Sequence, residues 1–179
     1  MPCIDRNQYS PNGGEFAILW TTICFGIHAN KTLPQVMLHD PDWFFWAYKE
    51  GWFACNPALA REAELINVRA RSIKLPDKYK DCVVKYFTNN RNKFYEFMIF
   101  PRQEADYAVK QSDLIDMSVP HELAPYYKGG YKRFLATMKS YIFGNKSARI
   151  TMQRAEAFFN DPSKVSLLPS YKARHNGPN

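Results

Sequence analysis

Between Tyr126 and Arg154 the chain sets Lys128, Lys132, Arg133, Lys139, Lys146, Arg149 and Arg154 among Tyr126, Tyr127, Tyr131, Phe134, Tyr141 and Phe143, with no carboxylate in the stretch. Ammonium and guanidinium groups neutralise phosphates and aromatic faces stack on bases, so this set offers recognition of a polyanion that carries aromatic bases. The charge is also confined. Residues 1–119 hold fourteen Lys/Arg and fourteen Asp/Glu, whereas 120–179 hold ten basic residues against Glu122, Glu156 and Asp161, so the whole net charge of +7 sits in the last third. A basic solvated face accounts for charge alone. The interleaving with rings is what points to nucleic acid, with DNA ahead of RNA.

Other chemistry is poorly supplied. Asp40-Pro-Asp42 and Glu62-Ala-Glu64 are close carboxylate pairs, but Asp40 reads as a helix cap and the second pair as flanking a surface arc of its helix. A metal-dependent nuclease gathers several carboxylates about one or two cations, and no second acidic cluster accompanies either pair. His28, His39, His121 and His175 are dispersed, without a nucleophile motif beside any of them, and Lys128-Gly-Gly130 follows no strand and lacks the Lys-Ser/Thr end of a phosphate loop. The expectation is a non-enzymatic chain with no cofactor and no metal. Cys3, Cys24, Cys55 and Cys82 are singly spaced, which reads as buried free thiols. The apolar run 17–27 is too short to span a bilayer and has no basic flank before it, so no membrane segment is expected and the cytoplasm is the default compartment.

The elements that must position the basic segment can be read from turn and cap signals. The β-branched and aromatic run Ala17–Phe25 stops at Gly26 and predicts a strand. Thr32 before Leu33-Pro34, Asp40 before Pro41 and Asn56 before Pro57 predict three helix starts, the last opening an amphipathic helix over 57–73 on Leu59, Ala63, Ile66, Ala70 and Ile73. Two strands, 82–88 and 93–100, flank the polar turn Asn89–Asn92 and predict a hairpin. A third short strand is expected within 113–118. Tyr131, Phe134, Leu135, Met138 and Ile142 share the core face of a helix over 130–143, leaving Tyr126, Tyr127 and Tyr141 as the rings free to stack, and Met152, Ala155, Phe158 and Phe159 form a last helix stopped before Pro162.

One stretch carries a family resemblance. Residues 24–47, Cys24-Phe-Gly-Ile-His-Ala-Asn-Lys-Thr-Leu-Pro-Gln-Val-Met-Leu-His-Asp-Pro-Asp-Trp-Phe-Phe-Trp-Ala47, resemble the small module written FGKYKGKTLxxVxxxDPxYLxWA. This module occurs at the C-terminus of exodeoxyribonuclease X-like proteins and in stand-alone phage and bacterial proteins, some labelled putative quorum-sensing-regulated virulence factors. Phe25, Gly26, Lys31, Thr32, Leu33, Val36, Asp40, Pro41, Trp46 and Ala47 agree with it. Ile27, His28, Ala29 and Asn30 depart from it, so the basic turn is diluted to Lys31, and a turn glycine is replaced by asparagine, the next best left-handed residue. Within the module, Leu33, Val36, Trp43 and Trp46 read as core. The resemblance implies a setting of nucleic-acid processing and of phage or mobile-element genomes.

The fold class expected is α+β: a small antiparallel sheet from 17–25, 82–88 and 93–100, covered by helices at 33–50, 57–73 and 130–143. Residues 16–100 form the module and hairpin, 101–168 the basic aromatic-rich helical region packed on it, and 1–15 and 169–179 flexible ends. The expected function is an accessory protein that binds nucleic acid through Lys31, Tyr126, Tyr127, Lys128, Lys132, Arg133, Lys139, Tyr141, Lys146, Arg149 and Arg154. Two alternatives remain: an anti-defence inhibitor, of the anti-CRISPR kind, that docks on a host nucleic-acid-processing protein complex with the same basic face, and a cryptic or degenerate nuclease related to the exonuclease setting of the resemblance.

Overall fold

Asp40-Pro41 and Asn56-Pro57 each open a helix as the sequence predicts. The Asp40 carboxylate accepts from the Trp43 N–H at 3.3 Å, and Asn56 Oδ1 accepts from the Ala58 and Leu59 N–H groups at 2.8 and 3.2 Å. The proline after each cap lacks the N–H that would otherwise be orphaned. The computed structural model describes residues 18–104 and 111–166; the expected flexible ends lie outside the described residues. The helices are α1 (Leu33–Met37), α2 (Pro41–Lys49), α3 (Pro57–Ala70), α4 (Val119–Leu123), α5 (Lys128–Phe143) and α6 (Met152–Asn160). The strands are β1 (Ile73–Lys74), β2 (Cys82–Thr88), β3 (Phe94–Pro101), β4 (Gln111–Ser112) and β5 (Leu114–Ile115).

The fold is α+β. β2 and β3 form the predicted antiparallel hairpin, from Cys82 opposite Pro101 to Thr88 opposite Phe94, with β4 on the other side of β2. Its turn needs a left-handed residue, and Asn92 supplies one at φ 56° while Asn89 Oδ1 accepts from the Arg91 and Lys93 N–H groups. β1 pairs with β5, and the chain returns after α6 so that Val165 bridges Ile73.

Four expectations are corrected. The run 17–25 is not a sheet strand over its described part, residues 18–25: only Thr22 bridges Thr32, and β4 takes the place it was expected to fill. The reason is where its backbone bonds go. Thr21 donates its N–H to both oxygens of Glu62 (3.1 and 3.0 Å) and its hydroxyl to Glu62 Oε1 (2.7 Å), and Ile23 exchanges bonds with Lys31 and Asn30. Glu62 is therefore buried on the packed side of α3, not on a surface arc. Ile73 leaves the helix and enters β1, because α3 ends at Ala70. The thiol reading also changes: Cys24 is disulfide-bonded, while Cys55 is free and exposed and Cys82 free and half-buried.

One hydrophobic cluster runs from the module to the C-terminal helices. α5 lies on β3 through Phe134, whose ring meets Phe94 at 5.6 Å and Phe97 at 5.0 Å. α6 packs by α1, and Arg69 of α3 donates to the Phe159 carbonyl at 2.6 Å. Trp20 is tied to α6 by a bond from Nε1 to Asn160 Oδ1 at 3.2 Å. No described helix is long and apolar enough to cross a membrane.

Candidate functional site

The buried face of α5 decides what its other face can do. Tyr131, Phe134 and Met138 are buried, and the Tyr131 hydroxyl donates to the Met117 carbonyl at 3.0 Å. With the helix rotation fixed in this way, Lys128, Lys132, Leu135, Ala136 and Lys139 fall at i, i+4, i+7, i+8 and i+11, a single stripe along the helix. That stripe forms one wall of a groove of about 860 Å³, joined by Tyr126 before the helix and Lys146 after it. The opposite wall is the module: Ile27, His28 and Lys31 from its turn, with Asp40, Asp42, Trp43 and Trp46 from the start of α2.

The turn is built as its sequence requires. Gly26 sits at φ 66° and Asn30 at φ 65°, so asparagine does fill a left-handed position where the resembling pattern has glycine. Between them Ile27 is carried to the outside and is 75% exposed. Asp40 Oδ2 accepts from His28 Nε2 at 3.0 Å, and His28 Nδ1 accepts from Lys31 Nζ at 3.1 Å. This chain fixes the imidazole tautomer and holds the Lys31 ammonium. Burial pushes the His28 pKa below 6.5 against the pull of Asp40, which keeps the ring neutral and able to accept from Lys31. Its ring also stands edge-on to Trp43 at 4.7 Å.

The groove is electropositive by arrangement as well as by count. Lys31, Lys128, Lys132, Lys139 and Lys146 line it, and none of them is in an ion pair with a described residue. Its two carboxylates are turned to histidines instead: Asp40 to His28, and Asp42 to His121 Nδ1 at 2.7 Å. The start of α5 adds to this. Its first turn has no acidic residue and no side-chain cap, while Lys128 stands at its first position. A cation at the start of a helix is unfavourable by about 0.3–1 kcal/mol in the absence of an anion.

Tyr126 enters this wall under strain. It adopts φ 63°, a left-handed conformation that for a non-glycine residue is unfavourable by roughly 1–2 kcal/mol, and it is 67% exposed. Tyr127 behaves differently. It is half-buried against the helix start, with Lys93 Nζ at 5.0 Å from its ring, and a Cβ on Gly130 would come within 2.9 Å of it. The glycines of Lys128-Gly-Gly130 thus make room for that ring.

Of the eleven residues expected at the site, six come together here: Lys31, Tyr126, Lys128, Lys132, Lys139 and Lys146. Arg133 is elsewhere, over the Tyr95 ring at 4.8 Å, and Arg154 covers Phe143 at 4.6 Å and donates to the Arg149 carbonyl. Arg149 and Tyr127 do not line the groove. Tyr141 is a correction: it is packed against the core, edge-on to Tyr79 at 5.4 Å and 5.9 Å from Phe97, and is not free to stack. Position 141 follows Phe134 by two turns, so helical spacing alone puts it on the buried side.

Sequence reasoning missed Ile27, His28, Trp43 and Trp46 as groove residues. Trp43 and Trp46 pack on the core as expected but are only half-buried, so their remaining faces line the groove. For Ile27 the sequence carries no comparable signal, since His28 lies between the same two left-handed residues and is buried. His39 reaches across to the Ile150 carbonyl at 3.0 Å and pins the module to the segment before α6. Among the described residues, no three His, Cys, Asp or Glu side chains gather to hold a metal ion.

Comparison with known proteins returns no matching family model, no matching curated protein and no matching solved structure. The similarity of residues 24–47 to the exodeoxyribonuclease X-associated module therefore stands on the quoted residues alone.

Proposed function

We propose that this chain is a non-enzymatic accessory protein that binds nucleic acid in the groove between the module and α5. The observation that carries this reading is the convergence of five lysines, none ion-paired to a described residue, on one groove whose carboxylates are held by histidines. Phosphates are the ligands that such an arrangement lacks. The resemblance of residues 24–47 supports a phage or mobile-element setting, acting in the host cytoplasm. The Cys24 disulfide argues the other way on compartment, since cytosolic thiols are kept reduced. Fluorescence anisotropy of a labelled oligonucleotide tests the reading: affinity falls steeply with added salt, and a flat salt response overturns it. Product from labelled DNA incubated with magnesium or manganese would overturn the non-enzymatic part.

A second reading, an inhibitor docked on a host nucleic-acid-processing complex, is favoured by Phe87, Tyr95 and Met98, which stand exposed on the hairpin and which phosphate binding does not require. It predicts a specific protein partner that survives nuclease treatment of the lysate and is lost when these three side chains are made polar.

A further inference from the structure

Among the described residues the two most exposed large apolar side chains are Ile27, at 75%, and Tyr126, at 67%. Both line the basic groove, one on each wall. An exposed apolar side chain is ordinary when single, but two of them facing a lysine-lined groove add a surface that phosphates cannot use. We infer that the groove takes single-stranded nucleic acid, with its phosphates along Lys128, Lys132 and Lys139 and an unstacked base against Tyr126 and Ile27. This rests on the nucleic-acid reading above.

Candidate ligands differ in the surfaces they can offer. In an undistorted duplex the base faces are covered by their neighbours, and the outside presents phosphate and sugar. Such a duplex can satisfy the lysines and leaves Tyr126 and Ile27 in water unless it pays to unstack a base step. A single strand satisfies both, because every base has a π-face free to stack and an apolar side chain can lie against the other side. Tyr126 is also well placed for the task. Its backbone is closed on either side by bonds from the Lys128 N–H to the Tyr126 carbonyl and from the Tyr127 N–H to the Ala124 carbonyl, so the ring stands on a fixed base.

The test compares three ligands of equal length: a single-stranded oligodeoxynucleotide, its duplex, and an abasic deoxyribose-phosphate chain. The wild type is expected to prefer the single strand to the abasic chain by about tenfold or more, as one base stacked on an aromatic ring supports. Tyr126→Ala removes most of that preference, Tyr126→Phe retains it, and Ile27→Ala reduces it. Both positions of change are at the surface, so folding is not at issue. If the single strand, the duplex and the abasic chain bind alike, and all with a steep salt dependence, the single-strand inference fails while the basic groove stands. If none binds, both fail. Unchanged preference in Tyr126→Ala also overturns the inference.

Discussion

Neutralising the groove lysines separates a convergent site from scattered surface charge. The variant carries Lys128→Gln, Lys132→Gln, Lys139→Gln and Lys146→Gln, leaving Lys31; its comparison carries Arg133→Gln, Arg149→Gln and Arg154→Gln, the cations that do not line the groove. Each phosphate contact on a single strand contributes about −0.7 to the slope of log affinity against log salt, so five contacts give about −3.5 and a loss of about 100-fold between 50 and 200 mM salt. With Lys31 alone the slope should fall to about −0.7, a change of only about threefold over the same range. The arginine variant should keep the wild-type slope. Stability provides the control: Lys128 is exposed at the first position of α5, so removing its charge should hold or raise stability by up to about 0.5 kcal/mol after screening. Weaker binding in a protein of equal or higher Tm, read by anisotropy and thermal melts, is the expected pair of results. If the arginine variant flattens the slope and the lysine variant does not, the groove is not the binding surface.

Three further outcomes follow from the packing. The folded-state pKa of His28 is below 6.5, so the unfolded chain takes up its proton first as pH falls; the stabilisation present above about pH 6.5 is lost below it, and thermal melts between about pH 7 and 5.5 should fall more steeply in the wild type than in His28→Gln, with parallel curves refuting the sign. Glu62→Ala strips the buried Thr21 N–H and hydroxyl of their acceptor and should destabilise by about 1–3 kcal/mol in denaturant unfolding, whereas a neutral result would mean that residues 18–25 are not held by α3. Under native, non-reducing conditions Cys55 should alkylate at once and Cys24 only after reduction; mass spectrometry finding Cys24 alkylated without reductant would remove the disulfide, and with it the argument against a reducing compartment.

The parts of the fold that were legible in the sequence are those set by local rules. Asp40 and Asn56 cap helices because a short side-chain acceptor before proline leaves few other conformations, and Asn92 turns the hairpin because asparagine tolerates left-handed backbone. Residues 18–25 were misread for the opposite reason: their β-propensity is real, but a carboxylate from residue 62 supplies the acceptor that a neighbouring strand would have offered. Position 62 lies three residues after Leu59 and four before Ile66, both fully buried, so the helical face that holds Glu62 could have been read from spacing once a partner for it was sought. The groove itself could not be read in that way. Its two walls are about a hundred residues apart in the chain, and the rotation that turns the α5 lysines toward Lys31 is set by tertiary packing, of Phe134 on Phe94 and Phe97 and of Tyr131 and Met138 in the core.

Several departures from local consistency meet at that place. A lysine begins a helix where an acidic residue would be favoured, a tyrosine occupies left-handed backbone, an isoleucine stands in water, and five ammonium groups share a groove without an ion pair to a described residue. Each departure is individually unfavourable or neutral for folding, and natural chains tend to concentrate such departures where function requires them. Asp40 and Asp42 also lie in the groove, hydrogen-bonded to His28 and His121, which does not cancel a carboxylate's charge; the lysines nevertheless outnumber them and none is ion-paired to a described residue. A bound phosphate chain would relieve that remaining excess of positive charge.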